Sequence, residues 1–208
     1  MLVDKTVREF LEETASDSVA PGGGSAAALS GALAAALGTM VCNLTLGKEQ
    51  YVNVKSEILE IKTKMESNLK RLTALIDEDA NAFNDVMSAF KLPKSTEEEK
   101  TIRSNAIQEG YKKAINIPME TAKLSLQCLG LMSTLVLKGN QNAVTDAGTG
   151  ALVALSAVRG AIYNIKINLT SVKDQDYVKK MKNEINNLDN SALEFYRQIN
   201  SEVEEKIT

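Results

Sequence analysis

Proton-transfer chemistry in this chain has to come from residues other than histidine, because none of the 208 residues is a histidine. That absence excludes Ser-His-Asp and Cys-His nucleophiles and the usual histidine-containing zinc and di-iron centres. Asp, Glu, Lys, Tyr or Cys must supply any general acid or base. The two cysteines, Cys42 and Cys128, lie in apolar helical stretches, so we expect buried thiols in a reducing compartment.

The strongest candidate for this chemistry is Asp79, in the stretch IDEDANAF. Apolar residues recur there at steps of three and four with one gap, and Asp79 lies three residues after Ile76 and four before Phe83. In a helix it therefore faces the same side as the core. A carboxylate in a partly buried cavity can have a pKa close to neutrality and act as a general acid or base. The alternative is that Asp79 only flanks the stripe and Ala80 occupies the core position.

A second polar pattern follows in GNQNAVTDAGTGALVALSAVRGAIYNIKINL. Asn142 and Thr145 suit a helix N-terminus, and Asp146 suits the first turn because a carboxylate there complements the helix dipole. Asn164 and Asn168 lie deep in the same predicted helix, on or beside a stripe of apolar and small residues. Their amides need hydrogen-bond partners, so we expect either another helix or a ligand to contact them.

The glycine-rich stretch PGGGS precedes a long uncharged, alanine-rich run. It lacks the Gly-Lys-Ser/Thr ending of a P-loop and follows no strand, so it matches neither nucleotide-binding fingerprint. Gly22, Gly23, Gly24 and Ser25 would instead form a side-chain-free helix N-terminus with room for a flat or polar ligand. On this interpretation Gly23→Val weakens ligand binding and leaves the helical content nearly unchanged. A flexible linker and a membrane span are the alternatives.

A lysine and a tyrosine follow the other end of that apolar run, in NLTLGKEQY. Gly47 is expected to close the helix, because glycine is favoured just after a helix C-terminus. Lys48 and Tyr51 come directly after it, as candidates for ligand contacts. The alternative for Lys48 is that it only complements the helix dipole.

Helices must position all of these residues, since the chain has three prolines and few strand-like alternations. The N-cap of the second helix is predicted near Gly24 or Ser25, a capping box at Ser95 and Glu98, and the first turn of a fifth helix at Pro118. No repeat or linker divides residues 1–208, so we predict a single all-α domain, a multihelical bundle. Helices of this length, one of them nearly all apolar, predict an intertwined homodimer. The predicted helices cover about 4–15, 25–46, 58–90, 95–116, 118–138, 140–169 and 175–206.

Composition narrows the possible partners. The net charge is −3 and aromatic residues make up 4% of the chain, which disfavours binding of nucleic acid or of an anionic membrane. Hydrophobic residues make up 44% and charged residues 25%, as in ordinary soluble proteins. The N-terminal stretch MLVDKTVREFLEE has no apolar signal core, so we expect a cytoplasmic protein with no membrane association.

Five stretches in order resemble the formimidoyltetrahydrofolate cyclodeaminases and the related methenyltetrahydrofolate cyclohydrolases. They are PGGGSAAALSGALAAALGTMVCNLTLGKEQY, DEDANAF, LPKSTEEEKTIR, NIPMETA and NAVTDAGTGAL with NIKINL, spanning about residues 4–172. The resemblance implies a multihelical fold, an intertwined homodimer and a tetrahydrofolate substrate. Larger family members carry a formiminotransferase domain, so the chain is expected to be a stand-alone cyclodeaminase domain, with a separate formiminotransferase as a candidate partner.

The resemblance also implies roles for individual residues. The family's catalytic aspartate matches Asp79, and Asp146 would be a second catalytic carboxylate. No metal and no cofactor beyond the tetrahydrofolate substrate are expected. The leading activity is cyclodeamination of 5-formimidoyl-tetrahydrofolate to 5,10-methenyl-tetrahydrofolate and ammonia. The alternatives are hydrolysis of the methenyl form to 10-formyl-tetrahydrofolate and a non-catalytic folate-binding module. Predicted substrate-binding residues are Gly22, Gly23, Gly24, Ser25, Asn43, Lys48, Tyr51, Arg103, Asn164 and Asn168.

Overall fold

The computed structural model describes all 208 residues and consists of six α-helices with three short 3-10 turns and no strand. The prediction of an all-α multihelical fold is therefore confirmed. The first α-helix is shorter than predicted, and a 3-10 turn at Leu2–Asp4 precedes it. The helices are α1 (Val7–Thr14), α2 (Gly23–Leu46), α3 (Lys55–Phe90), α4 (Glu97–Lys138), α5 (Val144–Leu169) and α6 (Gln175–Ile207).

The alanine-rich helix α2 lies inside the bundle, with α3 and α5 as its main neighbours and α4 beside them. Its small side chains let the neighbouring helices approach closely. A Cβ atom added at Gly38 would lie 2.6 Å from the Met65 methyl carbon, and one added at Gly150 of α5 would lie 2.4 Å from that of Met132. Both methionine side chains are fully buried. Methionine side chains thus fill the space that the two glycines leave.

Helix α2 begins two residues earlier than predicted, at Gly23, with Gly22 as its N-cap. Ser25 was a candidate N-cap because its hydroxyl can accept from a backbone N–H. In the structure that hydroxyl lies fully buried and instead donates to the carbonyl of Ile76 on α3, at 2.9 Å. No side chain of the flanking segment caps the first turn.

The predicted fourth and fifth helices are one continuous helix, α4, so the predicted break near Pro118 is wrong. Proline lacks an N–H and leaves the carbonyl four residues earlier without its helical partner. That carbonyl belongs to Ala114, and it accepts a hydrogen bond from the Asn168 side-chain amide of α5, at 3.2 Å. The helix can continue because a neighbouring helix supplies the missing donor. The capping box is also shifted by one residue, to Thr96 and Glu99.

This compensation makes a quantitative prediction for Pro118 and Asn168. Asn168→Ala in the wild-type chain should reduce the free energy of unfolding by about 1–3 kcal/mol, because the buried Ala114 carbonyl loses its side-chain donor. In a Pro118→Ala background the alanine N–H can bond Ala114, so the same change should have a smaller effect. A double-mutant cycle by urea denaturation measures the difference. Equal effects in both backgrounds would contradict the compensation.

The apolar stripe predicted along α3 divides into two halves with different surroundings. Ile58, Met65 and Leu72 in the N-terminal half are fully buried. Phe83 and Phe90 in the C-terminal half are both 41% exposed and line a cavity instead. Asp79 lies at the boundary, where the core ends and the cavity begins.

Two segments are long and apolar enough to cross a membrane by length and composition, Gly23–Leu46 and Gln141–Leu169, with mean hydropathies of 1.6 and 1.2. A helix in the core of a folded domain satisfies the same criterion. In this structure 56% and 44% of the two apolar windows are buried against the other helices. Internal packing therefore accounts for much of their apolar character.

Candidate active site

A cavity of about 390 Å³ opens where the N-terminus of α2 meets α3, α4 and the C-terminal end of α5. Its size is within the range of about 300–1,000 Å³ typical of small-molecule sites. Asp79 is the only charged residue in its lining. Of the predicted residues, the structure brings Gly22, Gly23, Gly24, Ser25, Asp79, Asn164 and Asn168 together at this cavity.

The Asp79 carboxylate is half-buried and lines the cavity. Burial raises the pKa of this carboxyl, whereas the Ser25 hydroxyl and backbone N–H act in the opposite direction and only partly offset it. The Ser25 hydroxyl lies 3.2 Å from the Asp79 Oδ2 atom. A carboxyl with a raised pKa, held by a serine and facing a cavity, can both accept and return a proton.

An ion-pair cluster behind Asp79 connects α3 to α4. Arg71 binds the carboxylate of Glu78, the residue that precedes Asp79. It also donates to both carboxylate oxygens of Glu120 at 2.7 and 2.8 Å. The hydrogen bonds from Arg71 lower the pKa of Glu120. This cluster fixes the spacing of the two helices beside the turn that carries Asp79.

Gly24 lies directly against the Asp79 carboxylate. A Cβ atom at position 24 would lie 2.0 Å from Oδ1, which no pair of real atoms can adopt. At position 23 a Cβ atom would lie 3.1 Å from the Asn164 amide nitrogen, so a side chain there would have to displace that amide. The predicted effect of Gly23→Val stays a prediction, to be measured as ligand affinity with circular dichroism as the folding control.

The two asparagines of α5 use their amides differently. Asn168 donates to Ala114 of α4, as described above, so its polar partner is another helix. Asn164 donates to the carbonyl of Gly160 in its own helix, at 2.9 Å. Both side chains are half-buried and line the cavity. The amide oxygens are thereby left for a ligand with hydrogen-bond donors.

An apolar and aromatic wall faces these polar groups. Phe90 and Tyr111 meet edge to face, with ring centroids 6.3 Å apart, and both line the cavity. Arg103 lies over the outer face of the Phe90 ring at 5.5 Å and donates to the Phe90 carbonyl. Arg103 was predicted as a ligand contact, but it does not line the cavity and contacts Phe90 instead. Sequence reasoning missed Tyr111, since a single tyrosine on a helix face carries no distinguishing pattern.

The structure does not bring the other predicted residues to this cavity within one chain. Asn43 is exposed near the C-terminal end of α2, and Lys48 and Tyr51 follow that helix. The Lys48 ammonium contacts Asn140 Oδ1 at 3.4 Å, and the Tyr51 hydroxyl accepts from the Gln141 N–H at 3.1 Å.

Asp146 also lies at that far end, in the first turn of α5. Asn164 comes 18 residues later in the same helix, a separation of about 27 Å. Within one chain Asp146 therefore does not reach the Asp79 cavity, and its role as a second catalytic carboxylate stays a prediction. The sequence analysis grouped Asp146 with Asn164 because both residues fall on one helical stripe. Such a stripe extends along the whole helix, so its members can lie far apart.

The fold and the cavity define an all-α protein with a small-molecule site built around one semi-buried aspartate and a glycine-rich helix N-terminus. The family model for formiminotransferase-cyclodeaminase matches residues 6–187. The chain therefore belongs to the formiminotransferase-cyclodeaminase family, in agreement with the resemblance seen in the sequence.

Proteins similar to the chain include members with two different names. A methenyltetrahydrofolate cyclohydrolase from Methylorubrum extorquens is 37% identical over 207 residues, covering 100% of both chains. The formimidoyltransferase-cyclodeaminase of Rattus norvegicus is 35% identical over 187 residues, covering 90% of this chain but 35% of the rat protein. The crystal structure of a formiminotetrahydrofolate cyclodeaminase from Thermotoga maritima superimposes with a TM-score of 0.89 at 27% identity, over 100% of both chains.

Proposed function

We propose that this protein is a folate one-carbon enzyme, a formimidoyltetrahydrofolate cyclodeaminase. It would convert 5-formimidoyl-tetrahydrofolate to 5,10-methenyl-tetrahydrofolate and ammonia. The observation that carries this proposal is the Asp79 carboxyl, which has a raised pKa and lies against Gly24 in a cavity of ligand size. Membership of the formiminotransferase-cyclodeaminase family supports the substrate class.

A single carboxyl can serve the proton transfers of this reaction. The 10-nitrogen attacks the formimidoyl carbon, a carbon–nitrogen bond forms, and the attacking nitrogen loses a proton. The original carbon–amine bond then breaks, and the leaving nitrogen gains a proton to depart as ammonia. Asp79 can take the first proton and return one to the leaving group, while its anionic form stabilises the amidinium-like cation. Asn164 and Asn168 would hold the ring system through hydrogen bonds.

Methenyltetrahydrofolate cyclohydrolase is the second candidate, supported by the 37% identity to the Methylorubrum extorquens protein over the whole of both chains. In that reaction water adds to the methenyl carbon, the bond from that carbon to the 5-nitrogen breaks, and one proton is released. Asp79 would act as the general base for the water.

A paired folate assay separates the candidates. The purified protein is incubated with 5-formimidoyl-tetrahydrofolate and, separately, with 5,10-methenyl-tetrahydrofolate, and methenyl absorbance is followed. Appearance of the methenyl form with release of ammonia supports the cyclodeaminase. Hydrolysis of the methenyl form without any reaction of the formimidoyl form would replace it by the cyclohydrolase. Binding without either reaction would leave a folate-binding module.

The cellular setting follows the same proposal. We propose a cytoplasmic homodimer that needs no metal, working beside a separate formiminotransferase that supplies its substrate. Analytical ultracentrifugation and the same assay after treatment with a chelator test the first two points.

The raised pKa of Asp79 sets the expected pH dependence. The base form is needed for the first proton transfer, so activity is lost as pH falls through the pKa of this carboxyl. Because burial raises that pKa, kcat/KM should decline at a higher pH than an exposed aspartate would give. Rate measurements from about pH 4 to 9 locate this acid limb. An acid limb at the ordinary aspartate pKa would contradict the assignment.

A further inference from the structure

A second cleft lies between the C-terminal end of α5 and the first half of α6. Its volume is about 280 Å³. Four polar side chains line it, those of Lys166, Thr170, Lys182 and Asn186. Because the lining contains two lysines and no acidic residue, the cleft attracts anions.

Neither lysine of this cleft has a negatively charged partner within the chain. A partner on the same helix would lie three or four residues away, and no Asp or Glu occurs at those spacings from either lysine. The acidic residues that come next on α6 pair with other cations, Glu184 with Lys123 and Asp189 with Arg159. Both lysine ammonium groups are therefore free to bind a ligand.

The helix dipole accounts for only one of these lysines. Lys166 is in the last turn of α5, where a cation complements the partial negative charge of the helix end. Lys182 comes seven residues after the start of α6, beyond the first turn in which the dipole acts. The position of Lys182 at the same cleft therefore needs another explanation, and an anionic ligand supplies one.

The cleft continues the Asp79 cavity along α5, because Thr170 lines both of them. Asn164 lies next to Gly23 in the cavity that Asp79 lines. Thr170 follows Asn164 by six residues, about 9 Å along the helix axis. In a folate, a benzoyl ring and an amide bond separate the reacting nitrogens from the glutamate, which is a comparable length. A folate whose reacting atoms meet Asp79 can thus place its glutamate over Thr170, in the basic cleft.

An anionic tail needs a cation that the Asp79 cavity does not contain. Asp79 is the only charged residue in the cavity lining, and its carboxylate repels another carboxylate. Two basic residues predicted as substrate contacts do not supply the cation. Arg103 contacts the ring and the carbonyl of Phe90, and Lys48 lies beyond the far end of α2. The adjoining cleft provides the missing positive charge.

We propose that Lys166 and Lys182 form the subsite that binds the glutamate carboxylates of the folate. Each ammonium would donate charge-assisted hydrogen bonds to a carboxylate, and the Asn186 amide would add a neutral donor. This inference rests on the function proposed above, because that function supplies the ligand. The glutamate tail is common to the formimidoyl and methenyl forms, so the subsite serves whichever of them reacts.

Removal of charge from the protein and from the ligand tests the subsite. Lys166→Ala and Lys182→Ala should each raise KM about fivefold, the upper end for an exposed ion pair, and the double variant about 25-fold. The value of kcat should stay unchanged, because the tail lies away from the reacting atoms. The matched ligand is the same folate with both glutamate carboxyls converted to neutral amides. For this diamide the wild type and all three variants should have the same KM.

Lys180→Ala is the control for the loss of one lysine from α6. Lys180 is exposed, does not line the cleft, and lies two residues from Lys182, on another side of the helix. The KM of this variant should equal that of the wild type. Thermal melts of all variants check folding, since a lysine that only complements the dipole of α5 affects Tm without changing KM.

The outcomes separate the subsite from the proposed function. A wild-type protein that neither converts nor binds any folate would overturn the function, and this inference with it. Conversion of the folate with the same KM in Lys166→Ala, Lys182→Ala and Lys180→Ala would overturn the subsite alone. A KM that rises as much for the diamide as for the folate would do the same, because the lysines would then act without the tail carboxylates.

Ionic strength gives an independent measurement of the same contact. Raising the salt concentration from about 0.01 to 0.15 M shortens the Debye length from about 30 to 8 Å and weakens exposed ion pairs. The wild-type KM should therefore rise towards that of the double variant, whose own KM should not change. A wild-type KM that is independent of salt would contradict the subsite.

Discussion

Asp79→Asn is expected to lower kcat by about 10²–10⁴-fold, the usual contribution of a general acid–base group. Asparagine has nearly the same shape and fits beside Gly24, but it can neither accept the first proton nor return it. It also lacks the negative charge that stabilises the amidinium-like cation. Steady-state kinetics with the reactive folate, together with a binding measurement, should show that kcat falls more than affinity.

Stability separates this catalytic loss from a folding defect. The folded-state pKa of Asp79 lies above its unfolded value, so the folded chain binds the proton more tightly and stability falls as pH rises through that interval. Asp79→Asn removes the buried charge and should therefore raise Tm at neutral pH. Asp85→Asn is the control on the same helix, since Asp85 is exposed and its salt bridge to Lys113 is worth little. A lower Tm in Asp79→Asn would assign the residue a structural role.

Gly24→Ala should be nearly as damaging, although it adds only one methyl group and removes no ionisable side chain. The new Cβ would lie 2.0 Å from Asp79 Oδ1, so the carboxylate must move. Displacement of a catalytic group by about 1 Å can reduce the rate 10²-fold. Overpacking of this kind also destabilises by about 1–3 kcal/mol, which outweighs the 0.5–1 kcal/mol or so that alanine gains over glycine in a helix.

Gly130→Ala provides the matched control for this change. Position 130 is in the middle of α4, and an added Cβ atom would meet Phe195 at 3.6 Å, an ordinary contact. We expect unchanged kcat/KM and equal or slightly higher Tm for that variant. Kinetics and thermal melts of both proteins give the comparison. Wild-type activity in Gly24→Ala would mean that Asp79 does not need its present position.

The sequence predicted Asp79 because a charge interrupts a regular apolar stripe, and that signal is local to one helix. The contact between Gly24 and Asp79 could not be predicted in this way, because it joins residues 55 positions apart in different helices. The predicted helix boundaries were limited in the same way, because they rest on local sequence signals. Pro118 predicted a helix start from local chemistry alone, whereas the Asn168 amide that lets the helix continue comes from a distant segment.

The structure gathers at one cavity those predicted binding residues that lie near the N-terminal end of α2. Gly22, Gly23 and Asn164 meet because α2 and α5 run antiparallel, which the sequence could not establish. Lys48 and Asp146 carry the same kind of polar signal but lie at the opposite end. Periodicity predicts which face of a helix a residue occupies. Only the packing of the helices determines which end of the bundle that residue lies at.

The methionines that pack against Gly38 and Gly150 determine how the protein responds to oxidation. Met65 and Met132 are fully buried, and their methyl carbons already lie where a Cβ atom would clash. A sulfoxide adds an oxygen and a dipole to the thioether. The packed core leaves little room for that oxygen, so peroxide reaches these sulfurs only when the bundle opens. Their oxidation therefore records how often the protein unfolds, and each modified molecule is hindered from folding back.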